Sequence, residues 1–322
     1  MIQSENNFKF YSKILIVITS FVFAYFIGSG FYGYGNDFYA LYHKKNLAWG
    51  GIFDKLGYII STISYNENHY GVHVVSFSLS FSFGFLLKNF FQYKRKFSII
   101  FFILIYLISI HTWPIIMSTS NAMRQGISMS FVFISIAYLL KNQNIKSLIF
   151  ITFSIFTHKS GIFFLFIMIN LIILKSCLSY IYDSRPKAII YFFYGLIILL
   201  MSIFFLTNNI NLDDTHRIIR GDYRIPFFLL NFMFIIFYTY RYDLLSSNDV
   251  NLYLYLFSFL APSLLLLELN WQYERLCMMM TIPYIFVISL LFNKKSSYLF
   301  LIISLSLLLI MTIDNGMYDS LY

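Results

Sequence analysis

The chain has 322 residues, of which 59% are hydrophobic and 11% charged, with a mean hydropathy of +0.71. A soluble domain carries about 25% charged residues, so the composition excludes a water-soluble globule and predicts an all-α, polytopic integral membrane protein. The net charge of +9 would suggest nucleic acid in a soluble protein; here basic loops on the cytoplasmic face account for it, and no nucleic-acid partner is expected.

A membrane span needs about 20 apolar residues, within a range of roughly 17–25. Candidate spans run over 13–30, 71–91, 97–116, 123–140, 147–157 joined to 161–174, 187–206, 225–240, 252–268, 276–292 and 298–313. Residues 14–28 lack a small-residue cleavage site and read as a retained first span. The first external loop, 31–70, opens with Gly33-Tyr34-Gly35-Asn36-Asp37-Phe38-Tyr39. Its two glycines allow a tight turn that projects Asp37 back toward the membrane. Further along, Ile52, Phe53, Leu56, Ile59, Ile60 and Ile63 recur at helical spacing and predict an amphipathic helix lying in the interface.

Segment 147–174 is the anomaly. As one helix it would be about 42 Å long, too long for a core of about 30 Å without strong tilt. Its centre, Thr157-His158-Lys159-Ser160-Gly161, carries two ionisable residues and a glycine. It reads as two short helices meeting at a polar tip that is protein-buried or water-lined, as helix interruption at membrane depth requires. With this break the chain has about 11 transmembrane helices and an internal N-terminus. Fourteen Lys and Arg then lie inside and nine outside; without it the bias falls to 12 against 10. The positive-inside rule favours the broken version. The whole chain, 1–322, reads as one polytopic membrane domain with external loops 31–70 and 207–224 and no soluble domain.

In that topology, 11 of the 14 inner cations are Lys, whereas five of the nine outer ones are Arg. All six His and all three Trp also fall outside. Arg offers a planar fork suited to phosphate and Lys a point charge, so the outer face is where a polyanion is held. Cys177 and Cys277 fall on opposite sides, and no disulfide is expected.

Two stretches place ionisable groups inside apolar runs: Asn121-Ala122-Met123-Arg124-Gln125-Gly126 and Thr157-His158-Lys159-Ser160. A charge at such depth costs roughly 2.5–3.5 kcal/mol on insertion scales and marks a functional candidate. Arg124, with Gln125, is read as a diphosphate ligand, against the plainer reading of a snorkelling arginine. His158 is read as a hydrogen-bond partner of acceptor or phosphate, against a packed histidine; Lys159 joins it as a binding residue. Arg217 and Arg220 in the loop 207–224 share a face if that loop is helical and are candidates for a second lipid carrier. Arg275 either binds substrate or pairs with Glu274. Trp113 and Trp271 fit an interfacial belt or sugar stacking. Asp213-Asp214 reads as solvated, and no metal site and no cofactor is expected.

There is no phosphate-binding Gly-x-x-x-x-Gly-Lys-Ser/Thr loop, no dinucleotide fingerprint, no zinc-binding cluster and no Gly-x-Ser-x-Gly turn. The short, acid-poor cytoplasmic loops argue against a nucleotide-sugar site. Chemistry, if present, draws its energy from a pre-activated, lipid-borne substrate on the outer side.

Arg124-Gln125 at a span start, the basic turn Lys141-Asn142-Gln143-Asn144-Ile145-Lys146, and Phe156-Thr157-His158-Lys159-Ser160 closing the following helix together resemble the EpsG-like family of Wzy polysaccharide polymerases. Gly35-Asn36-Asp37-Phe38-Tyr39 is similar to that family's Gly-Thr-Asp-Tyr stretch, with Asn36 for Thr and Phe38 for Tyr. The resemblance implies a metal-independent glycosyltransferase of O-antigen, capsule or exopolysaccharide synthesis, in the bacterial cytoplasmic membrane with its active site facing outward. Donor and acceptor would both be undecaprenyl-pyrophosphate-linked oligosaccharides, and a chain-length regulator would be a partner. By likeness to other lipid-phosphate-sugar transferases, Asp37 would be the general base, with His158 and Arg124 as its catalytic companions. Two other classes fit the same outward cationic cavity: a flippase for the lipid-linked unit, and a single-sugar transferase using a polyprenyl-phosphate sugar.

Overall fold

The computed structural model describes residues 2–31, 33, 59, 63, 70–93, 98–120, 122–158, 160–178, 184–209, 224–267, 269–292 and 294–314. Among these residues every regular element is an α-helix. In chain order they are α1 (Ile2–Gly28), α2 (Tyr70–Tyr93), α3 (Ile99–Ile110), α4 (Trp113–Ser120), α5 (Met123–Leu139), α6 (Asn144–Ile155) and α7 (Gly161–Leu178). These are followed by α8 (Ser184–Asn209), α9 (Arg224–Tyr240), α10 (Tyr242–Ser247), α11 (Asp249–Leu266), α12 (Asn270–Leu290) and α13 (Lys294–Asp314). The expected interfacial helix at 52–63 lies outside the described residues, apart from Ile59 and Ile63.

α1 shows why these segments fold as membrane helices. Phe8, Ser12, Ile16, Ser20, Phe23, Ala24 and Ile27 recur at three- and four-residue steps and are buried. On the other face Phe10, Phe21 and Tyr25 are 61%, 63% and 68% exposed. Such a belt of bare aromatics is at home against lipid, and a helix satisfies its own backbone there. α1 begins well before the expected residue 13, because Glu5 and Lys9 pair at 2.6 Å one turn apart and extend the helix through its polar start.

Among the described residues six helices are long and apolar enough to cross a membrane: α1, α2, α7, α8, α11 and α12. A seventh crossing follows if α3 and α4, bent by 60° at their junction, are one span. The bend falls within 97–116, expected to be straight, and has a local cause. Pro114 has no N–H to continue the α3 ladder. The chain instead turns at Thr112, whose N–H and hydroxyl both donate to the Ser109 carbonyl, at 3.1 and 2.7 Å. α5, α6, and the helical stretches 227–240 and 296–310 are shorter apolar helices. The expected interruption near His158 is present: α6 ends at Ile155 and α7 begins at Gly161.

The chain divides into two compact units, residues 1–161 with 285–322, and residues 162–284. In the first, α2 lies at the centre. It runs antiparallel to α1, with Phe8 stacked on Phe91 and Phe21 against Phe77, both pairs within 5.8 Å. It runs parallel to α5, with Phe83 edge-on to Phe133. Ser20, Ser80 and Tyr106 join α1, α2 and α3 through a buried cluster, with the Tyr106 hydroxyl 3.0 and 2.9 Å from the two serine hydroxyls. In the second unit α11 is the buried centre. Tyr253 donates to the Phe164 carbonyl, Ser258 meets the Tyr284 hydroxyl at 2.6 Å, and Lys175 pairs with Asp249 at 2.6 Å.

Candidate functional site

The site is built on the α5–α6 hairpin and the turn that follows it. Two serine pairs set the register. Ser135 Oγ lies 2.5 Å from Ser147 Oγ and donates to the Ser147 carbonyl at 3.1 Å. Seven residues back along α5 and seven forward along α6, Ser128 Oγ donates to the Ser154 carbonyl at 3.3 Å. Four more residues in each direction lead to Arg124 and His158. The antiparallel hairpin therefore brings these two residues to the same end, although 34 positions separate them in the sequence.

The Ser154 carbonyl is the pivot of the turn. It accepts from the backbone N–H groups of Thr157 (3.2 Å) and His158 (3.1 Å), from Thr157 Oγ1 (2.7 Å) and from Ser128. A helix end surrounded by apolar matter must find partners for its last carbonyls, and the serines and threonine provide them. Gly161 completes the reversal. A Cβ there would come within 2.6 Å of backbone atoms of Ser154 and Ile155, so no other residue lets α7 start so close to the end of α6.

His158 is 9% exposed and its ring is oriented by its own turn. The backbone N–H of Ser160 donates to Nδ1 at 3.1 Å, and the Ser160 hydroxyl lies 2.7 Å from the same nitrogen. An amide N–H can donate only to an unprotonated Nδ1. In the neutral imidazole the proton is then on Nε2, which makes that nitrogen a hydrogen-bond donor.

Across the hairpin, Arg124 is half-buried in the first turn of α5 and Gln125 is 1% exposed. The cap residue Ala122 provides no side-chain acceptor, so the positive end of the helix dipole is not offset by the usual Ser, Asp or Asn. The guanidinium adds a full charge in the same turn. Gly126 makes the packing possible: a Cβ there would sit 2.1 Å from the Ser118 carbonyl of α4 and 2.8 Å from Val75 of α2. An arginine fork and an imidazole N–H at one end of the hairpin, beside a helix start, suit an anion with several oxygens, such as a diphosphate.

The other expected residues are distributed differently. Trp113 opens α4 and is 3% exposed, its indole covered by protein. Arg275 is half-buried near the start of α12, next to buried Glu274, within the second unit. Trp271 lies in the first turn of the same helix. Asp37, Lys159, Arg217 and Arg220 lie outside the described residues. His73 sits in the first turn of α2 with its ring against Gly28, where a Cβ would come within 2.1 Å of it. Ser128, Ser154, Ser160 and Gly126 escape a search for ionisable groups. The signal available was their spacing, with Ser128 one turn past Arg124 and Ser154 one turn before His158.

Fold and site together define a multi-pass helical membrane protein with arginine and histidine gathered at one end of a tight hairpin. The sequence model of the EpsG family matches residues 9–320. The chain belongs to the EpsG family. Searches of curated proteins and of solved structures find no match.

Proposed function

We propose that the chain is a Wzy-type repeat-unit polymerase of the outer face of the bacterial cytoplasmic membrane, acting in the synthesis of an O-antigen, capsule or exopolysaccharide. The observation that carries this reading is the register of the α5–α6 hairpin, which sets Arg124 and His158 at the same end of it, inside a membrane scaffold. Family membership supports it independently.

In the reaction, a hydroxyl oxygen of the acceptor, a lipid-linked repeat unit, attacks the anomeric carbon at the reducing end of the growing glycan. The bond from that carbon to the diphosphate oxygen breaks, and undecaprenyl pyrophosphate leaves with the electron pair. Charge grows on the leaving oxygen, where donors already in place are worth most. Arg124 neutralises the diphosphate and His158 donates to it or to the acceptor. The hydroxyl proton passes to a base, for which Asp37 is the candidate. Gln125, Lys159, Arg217, Arg220 and Arg275 are candidates for holding the two diphosphate carriers, and Trp271 for stacking on sugar. The polyprenyl tails remain in the bilayer, and no metal takes part.

The test is substitution in a host producing the cognate glycan. Arg124→Ala and His158→Ala proteins should reach the membrane at wild-type levels yet leave single-repeat products exposed on the outer leaflet. A normal ladder from either variant removes that residue from the mechanism; single repeats trapped on the inner leaflet would indicate transport instead.

A further inference from the structure

The opposite end of the first unit carries charge that the polymerase reading does not use. α5 separates the two ends by about 25 Å at 1.5 Å per residue. At this second end lie Lys9 and Lys13 of α1, Lys88 near the close of α2, Lys141 in the α5–α6 turn and Lys146 in α6. The Phe8–Phe91 stack holds the start of α1 beside the end of α2. Lys141 Nζ stands 5.7 Å over the Phe85 ring, and Lys146 Nζ stands 5.6 Å over the Tyr138 ring.

These ammonium groups act on one another. Repulsion from Lys13, Lys141 and Lys9 reaches Lys88, which is half-buried on its helix. Lys141 lies beyond the end of α5. Its ammonium is pushed below the ordinary lysine range by partial desolvation first, then by Lys146 and Lys9. Among the described residues the carboxylate at this end is Glu5, which is engaged by Lys9 at 2.6 Å. Topology alone asks for positive loops; it does not ask for a half-buried helical lysine among like charges. Such a cluster is costly until an anion enters it. Flanking it are exposed apolar side chains: Phe10 (61% exposed) and Ile14 (41%) on α1, and Ile145 (77%) and Ile149 (48%) on α6. Phosphate chemistry in the middle and apolar rows alongside match one occupant in both halves.

We propose that this lysine end is a binding site for an anionic phospholipid, its headgroup phosphate held by Lys88 and Lys141 with Lys13 and Lys146 at the rim, and its acyl chains against α1 and α6. The site is independent of the polymerase reading and stands or falls without it.

Full-length protein is reconstituted in nanodiscs of phosphatidylcholine alone or mixed with phosphatidylglycerol, and Tm is measured for wild type and for the Lys88→Gln/Lys141→Gln double variant. Wild type should gain several degrees from phosphatidylglycerol and the variant none. In phosphatidylcholine the variant should match or exceed wild type, because repulsion has been relieved. Inorganic phosphate added to phosphatidylcholine discs should not reproduce the gain; if it does, the ligand is a soluble anion and the lipid assignment fails. Native mass spectrometry of wild type alone, which needs no variant, should show phosphatidylglycerol retained over phosphatidylcholine. Equal retention, no gain in wild type, or an equal gain in both proteins overturns the proposal.

Discussion

Ser160 donates its backbone N–H to Nδ1 of His158 at 3.1 Å, and this bond assigns the proton of the neutral ring to Nε2. His158 is thus arranged as a donor rather than as a proton acceptor. A side chain that can present an N–H at a similar reach should retain part of the activity. His158→Gln should polymerise measurably, whereas His158→Ala and His158→Glu should lose about 10²–10³-fold, the usual cost of one donor at a developing charge. The measurement is glycan chain length and rate with purified protein and lipid-linked repeat units. Activity in His158→Glu comparable to His158→Gln would contradict the donor role.

Because the bond comes from the main chain, the Ser160 hydroxyl is a secondary partner. Ser160→Ala keeps the N–H and should cost less than tenfold in rate. Ser160→Pro removes the N–H and should approach His158→Ala. The comparison is made at matched protein levels in the same assay.

Gly126 and Gly161 are steric necessities. Gly126→Ala drives a methyl into the Ser118 carbonyl of α4, and Gly161→Ala drives one into the backbone of Ser154 and Ile155. Overpacking of this kind costs about 1–3 kcal/mol. Both variants should show a lowered Tm by fluorescence-detected size-exclusion chromatography, while Gly195→Ala, against the movable ring of Phe259, should lose less.

The two serine pairs of the hairpin should separate structure from function. Ser135→Ala and Ser128→Ala each remove a buried hydrogen bond, with a net loss of about 0.5–1.5 kcal/mol. Ser135 sits toward the lysine end and Ser128 one turn from Arg124. Ser128→Ala should reduce polymerisation more than Ser135→Ala at a similar loss of Tm. Equal effects on rate would mean that the register of the hairpin does not position the site.

Much of this architecture is legible in the amino-acid sequence. The interruption at His158 followed from three signals together: a 28-residue segment is too long to cross a bilayer upright, the polar tip marked where to cut, and the loop charges favoured the break. Arg124 and His158 were legible because charge is expensive in apolar runs. The bend at Thr112 was not, because 97–116 has the right length for one straight span; Trp113-Pro114 held the hint, and a proline near a helix end is usually harmless. The early start of α1 was hidden by its polar first residues, which the Glu5–Lys9 pair rescues. Ser128 and Ser154 pass for filler in an apolar helix, since their role depends on a partner 26 residues away.

Sidedness is the most direct test of the central claim. In a background with Cys177 and Cys277 replaced by serine, single cysteines at positions 124 and 158 are challenged in intact cells with a membrane-impermeant maleimide, with position 141 as the control for the opposite end. Positions 124 and 158 should both react from outside, and position 141 only after the cells are opened. If 124 and 158 react from different sides of the bilayer, Arg124 and His158 do not share a site and the account is wrong.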